Sequence, residues 1–81
     1  MDVLYFAWLR ERVGVPREKI VTDAATVADL VAELSGKEDR YRWAFEDMSA
    51  VRVAVDQELT GFDAPLAGAR EVAFFPPMTG G

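Results

Sequence analysis

"DVLYFAWL", residues Asp2–Leu9, is the stretch on which the fold turns. It is a nearly continuous apolar run, rich in aromatic and branched side chains, whereas a strand at the surface alternates apolar with polar residues. It reads as a strand covered on both faces. The chain closes on a second run of the same kind, "REVAFFP" (Arg70–Pro76), stopped by the pair Pro76–Pro77. If the first and last strands lie side by side, both are central in one sheet.

The segments between them supply the rest of a small α+β domain. "RERVG" (Arg10–Gly14) reads as a short helical turn closed by Gly14, with Pro16 confirming the break. "REKIVT" (Arg17–Thr22) reads as a second strand, forming a hairpin with the first. "DAATVADLVAELSG" (Asp23–Gly36) is the clearest element. Val27, Leu30, Val31 and Leu34 fall on one helical face, Thr26 and Asp29 form a variant capping box, and Gly36 closes the helix. "KEDRYRWAFEDM" (Lys37–Met48) suggests a short second helix leading into a loop. "AVRVAVD" (Ala50–Asp56) alternates valines at period 2 and is a strand. "QELTGF" (Gln57–Phe62) adds a short edge strand turning at Gly61, and "DAPLAGA" (Asp63–Ala69) is a loop. A mixed sheet with one main helix across one face fits this order, an α+β roll of the β-grasp kind. The expected domain is 1–75, with 76–81 as an extended tail.

Composition narrows the chemistry. With 81 residues, 51% of them hydrophobic, the chain is one domain with a real core. It contains no cysteine and no histidine. Disulfides, thiolate metal sites, cysteine nucleophiles and histidine-based triads are therefore excluded. That argues against a self-sufficient enzyme. The net charge of −5 and the lack of a basic stripe argue against nucleic acid as a partner. No apolar run approaches the ~20 residues of a membrane span, and no secretory signal is visible, so the expected location is cytoplasmic. The carboxylate pairs Glu46–Asp47 and Asp56–Glu58 have the right groups for acid–base work, but such neighbours are expected by chance on the solvated loops of an acidic chain. Tyr5, Trp8, Tyr41 and Trp43 have faces on which a base can stack; without a basic groove, a core role fits most of them better.

The remaining candidate is the end, "PPMTGG" (Pro76–Gly81). One reading is linker-like disorder. The other is a tail built for insertion. Pro76 and Pro77 stiffen its start, and six residues at ~3.3 Å each reach roughly 20 Å from the body. Gly80 and Gly81 let the backbone enter a slot too narrow for a Cβ. The tip is a carboxylate, a poor electrophile until a partner converts it to an acyl-adenylate.

At this point the residues resemble a known family, the small sulfur-carrying subunit of molybdopterin synthase (the MoaD family), within the ubiquitin-like β-grasp proteins. The similarity covers essentially the whole chain. It is strongest in "FDAPLAGAREVAFFPPMTGG" (Phe62–Gly81), where the family shows an aromatic-Asp-x-Pro-Leu stretch, a Gly-Asp-Glu-Val turn and Phe-Pro-Pro-Val-x-Gly-Gly. "FAWLRERVG" (Phe6–Gly14) looks like the family's Phe-Ala-x-x-Arg-Glu segment. Three positions depart from the pattern: Arg70 stands where Asp is common, Asp56 where Asn is often found, and Met78 replaces Val. None touches the terminal Gly-Gly.

The resemblance implies a mechanism. An E1-like adenylyltransferase, using ATP and Mg, activates the Gly81 carboxylate; a sulfur donor protein converts it to a thiocarboxylate; and the tail, with Pro76, Pro77, Thr79 and Gly80 threading, enters the large catalytic subunit. There it donates sulfur to cyclic pyranopterin monophosphate, giving molybdopterin. This chain itself binds no cofactor or metal, and two copies with a large-subunit dimer make a heterotetramer. Phe74 and Phe75 are adjacent in a strand and point to opposite faces. The resemblance suggests that Phe75, with Phe6 and Leu59, forms an apolar docking patch, to which Met78 adds; the alternative is that Phe6, Leu59 and Phe75 are all core. Related carriers for thiamin or tRNA thiolation, a ubiquitin-like modifier, and a plain interaction domain with an unreactive tail are the competing functions.

Overall fold

The structure is a computed structural model and describes residues 1–77. The described elements follow in the order β1 (Asp2–Tyr5), α1 (Trp8–Val13), β2 (Arg17–Lys19), α2 (Val27–Lys37), α3 (Asp39–Ala44), a 3-10 turn (Met48–Ala50), β3 (Arg52–Val55), β4 (Glu58–Thr60) and β5 (Glu71–Phe75). The five strands form one mixed sheet in the order β2-β1-β5-β3-β4. The first and last strands are central and parallel, with Val3 opposite Val72 and Tyr5 opposite Phe74. β2 runs antiparallel to β1, and β3 antiparallel to both β5 and β4. This is the β-grasp arrangement read from the sequence.

α2 forms where the apolar spacing puts it. The Asp29 N–H donates to Thr26 Oγ1 at 3.2 Å, satisfying one orphan donor of the first turn. Val27, Leu30, Val31 and Leu34 are all buried, each contributing about 1.5–3 kcal/mol over exposure. They meet Val3, Tyr5, Val53, Val72 and Phe74 from one face of the sheet. Phe74 is the aromatic hinge of this core, stacked with Tyr5 at 6.1 Å between ring centres and edge-on to Phe45 at 4.9 Å. Within the same core, the Tyr5 and Tyr41 hydroxyls both donate to Glu18 Oε2, at 2.8 and 2.5 Å. Burial, reinforced by that hydrogen bond, pushes the Tyr41 phenol up to about 12 and raises Tyr5 as well.

Four local expectations are corrected. The first strand stops at Tyr5, and Trp8 and Leu9 belong to α1. Ala7, with φ 53°, breaks the extended run, and helical spacing then carries Leu9 and Val13 together into the core. Gly14 does close α1, in the left-handed conformation, its N–H on the Arg10 carbonyl. In the middle of β5 Val72, Ala73 and Phe74 are all buried, although only Val72 and Phe74 belong to the core cluster, and β1 alternates, with Leu4 only half-buried. Gly36 does not end α2. The helix runs through it to Lys37, and extended Glu38 is the cap, its N–H on the Leu34 carbonyl, because α3 starts at once at Asp39. The second strand ends at Lys19, short of the expected Thr22.

Candidate functional site

Side chains on a strand alternate between faces, so the register defines what lies on the face of the sheet away from α2. Leu4 pairs with Ala73, Ala73 with Ala54, and Ala54 with Leu59. These four form one apolar row across β1, β5, β3 and β4, roughly 14 Å from end to end. Two residues along each strand comes the next row. Phe75 is paired with Arg52, and Phe6 continues β1 beside it, its N–H on the Phe74 carbonyl at 3.0 Å. Phe6 is 47% exposed and Leu59 73%, while Phe75 is half-buried. Ala73 is buried yet stands outside the main core cluster. The structure thus brings Phe6, Leu59 and Phe75 onto one open apolar face rather than into the core. Sequence reasoning did not find Leu4, Ala54 and Ala73 as part of that face. Their period-2 offset from Phe6, Arg52 and Phe75 was the available signal, but it means nothing until the strand register is known.

The tail leaves from the same place. β1 and β5 are parallel, so both finish at the same end of the sheet. Phe75 is followed there by Pro76 and Pro77, both half-buried. Met78, Thr79, Gly80 and Gly81 lie outside the described residues. The opposite end of the face is charged, with Asp2 opposite both Lys19 and Glu71, and an Asp2–Arg17 ion pair at 3.2 Å. The apolar stripe therefore points towards the tail and fades into charge away from it.

Two of the sequence departures have structural roles. Asp56 and Gln57, with φ 50° and 70°, form the two-residue turn between β3 and β4, a conformation that Asn, Asp and Gly tolerate best. Asp56 Oδ1 also accepts the N–H groups of Arg70 and Glu71, at 2.9 and 3.0 Å, tying that turn to the start of β5. Asp does this as well as Asn. Arg70 contributes its backbone N–H there, and its side chain is exposed.

The four aromatics considered for stacking divide. Tyr5 and Tyr41 are core. Trp8 and Trp43 instead clasp Arg12, whose guanidinium sits 4.9 Å from one ring centre and 5.0 Å from the other. Arg12 also donates to the Trp43 carbonyl and pairs with Glu46, so this cluster fastens α1 to α3. The remaining carboxylates of the two candidate acid–base pairs do not converge. Asp47 caps the 3-10 turn through Ser49, and Glu58 is an exposed strand residue.

Known proteins share both fold and sequence with this chain. A family model described as the ThiS family matches residues 3–81. The molybdopterin synthase sulfur carrier subunit of Escherichia coli (strain K12) is 44% identical over 81 residues, covering all of this chain and 99% of that one. The protein of the same name from Haemophilus influenzae is 36% identical over the same length, with the same coverage. Among solved structures, small archaeal modifier protein 1 of Haloferax volcanii superposes with a TM-score of 0.73 at 25% identity, over 96% of this chain and 97% of that one. With the fold, the terminal segment and nearly the whole length in agreement, the chain belongs to the ThiS family.

Proposed function

We propose that this protein is the sulfur carrier subunit of a molybdopterin synthase and that the Gly81 carboxylate is its working group. The observation that carries this reading is that the open apolar face reaches the end of β5 from which the tail leaves. A docking surface that ends where the tail begins delivers the tail into whatever the surface binds. The 44% identity to a carrier of that name supports the reading, as does the absence of His and Cys from the whole chain, which leaves catalysis to a partner.

The chemistry follows from the group at the tip. A Gly81 carboxylate oxygen attacks the α-phosphorus of ATP, with Mg, on an E1-like adenylyltransferase, and pyrophosphate leaves. The outer sulfur of a donor-protein persulfide then attacks the acyl-adenylate carbonyl and AMP leaves; a thiol cleaves the S–S bond of the resulting acyl disulfide, releasing the C-terminal thiocarboxylate and leaving a disulfide with the donor. Docked through Phe6, Leu59 and Phe75, and helped by Met78, the protein threads Pro76, Pro77, Thr79 and Gly80 into the large subunit. Glycine at the tip suits a narrow channel because no Cβ has to pass. Sulfur passes there to cyclic pyranopterin monophosphate, and Gly81 returns as a carboxylate. The assembly is a heterotetramer in the cytoplasm.

Deleting Gly81 in the cell tests this. The expected result is loss of molybdenum cofactor synthesis with the shortened protein still folded and still bound to the large subunit; normal synthesis overturns the reading. A second reading, a protein modifier, is favoured by the likeness to small archaeal modifier protein 1. It predicts high-mass conjugates that disappear with Gly81.

A further inference from the structure

In the row of Phe6 and Phe75, at the tail end of the open face, the next strand contributes a charge. Arg52 opens β3 and stands opposite Phe75 in the register. Its neighbour Val53 is buried in the core, so alternation turns Arg52 outwards with Phe75 and Ala54. The residue is exposed, but its head group is held. Nη1 donates to the Ser49 and Val51 carbonyls, each at 3.0 Å. A carbonyl can fix a guanidinium in place, yet it carries no net charge to neutralise it.

No carboxylate pairs with Arg52 among the described residues. Asp47, before the 3-10 turn, accepts instead from the Ser49 N–H and hydroxyl. Glu71 and Asp2 share the open face, but they lie level with each other roughly 13 Å from Phe75 along the strands, beyond a Debye length at physiological salt. Arg17, the cation in the Leu4 row, is paired with Asp2. Of the arginines without an ion pair among the described residues, Arg10, Arg52 and Arg70, only Arg52 has its side chain held by a hydrogen bond. It is a positioned, unneutralised cation beside an apolar docking residue.

We propose that Arg52 is a specificity-determining contact: when Phe75 docks, Arg52 takes a carboxylate that the large subunit presents next to the site for Phe75. The inference rests on the sulfur-carrier reading and names the chemistry of the partner surface. With Nη1 committed to the two carbonyls, Nε and Nη2 form the free edge of the guanidinium, a planar fork that matches the two oxygens of a carboxylate. A protein carboxylate fits better than a phosphate of the substrate, because the segment Pro76–Gly81 separates the working tip from this row. A partner with a lysine at that place is repelled, so the contact selects as well as binds.

The test is binding of the full-length protein to the purified large subunit, followed by stopped flow and calorimetry at low and high salt. Arg52→Gln is expected to bind about 10-fold more weakly at low salt, mainly through slower association, and to lose most of the salt dependence of the parent protein. Arg52→Lys keeps that salt dependence and binds with intermediate affinity, and Arg52→Glu binds more weakly than Arg52→Gln. Circular dichroism is expected to show all three variants folded. Unchanged affinity in Arg52→Gln overturns the proposal. So does weaker binding with the parent's salt dependence, which assigns Arg52 to bracing the 3-10 turn. Failure of the parent protein itself to bind the large subunit overturns the sulfur-carrier reading and this proposal together, whereas failure confined to the Arg52 series overturns this proposal alone.

Discussion

Phe74 and Phe75 are neighbours in β5 with opposite fates: the Phe74 ring is fully buried between Tyr5 and Phe45, whereas Phe75 stands half-buried on the open face beside Phe6. The pair separates folding from docking within two residues. Phe74→Ala is expected to cost about 3–5 kcal/mol of stability, as for other buried aromatics. Phe75→Ala is expected to cost clearly less stability than Phe74→Ala, about 1 kcal/mol, while weakening binding to the large subunit by at least about 10-fold. Urea denaturation and calorimetric titration, run on both variants, check the contrast.

Leu59 tests the far end of the stripe. At 73% exposure it contributes little to the fold, so Leu59→Asp is expected to change stability by no more than about 0.5 kcal/mol. The same change puts a charge into a desolvated contact and is expected to abolish stable complex formation in size-exclusion chromatography.

How much of this was legible in the residues depends on which interactions are local. α2 was, because its spacing and its Thr26 cap lie within one helix. The two end strands were legible as candidates for the middle of the sheet, because both lie in apolar runs, but their parallel pairing was shown only by the structure. The end of β1 was not. Phe6 to Leu9 is apolar throughout, and only the backbone at Ala7 divides the strand side from the helix side. Gly36 misled for a related reason: what ends α2 is the immediate start of α3, not the glycine. Phe6, Leu59 and Phe75 came from resemblance, and the Leu4–Ala73–Ala54–Leu59 row required the register.

Ala7 provides a test of that backbone account. Its φ of 53° and ψ of −132° are normally reserved for glycine. Relief of that strain, less the added freedom of the unfolded chain, should make Ala7→Gly more stable by about 1 kcal/mol. A fall in the thermal midpoint contradicts it.

The tyrosine pair on Glu18 sets an alkaline limit. A phenol raised by folding stays protonated in the native state at pH values where the unfolded chain has already ionised. The native state then holds more protons, so stability falls as pH rises. For Tyr41 the loss begins near the ordinary value of 10.0 and runs through about 12, with Tyr5 extending it upward. Denaturation midpoints are expected to fall across this window in the native protein, and less steeply in Tyr41→Phe.

The proposed function stands or falls on sulfur at Gly81. Intact mass spectrometry of the protein isolated from its own cells during cofactor synthesis measures this directly. The expected result is a population heavier by about 16 mass units, one oxygen replaced by sulfur, with the gain confined to the C-terminal fragment. An unaltered terminus under those conditions contradicts it.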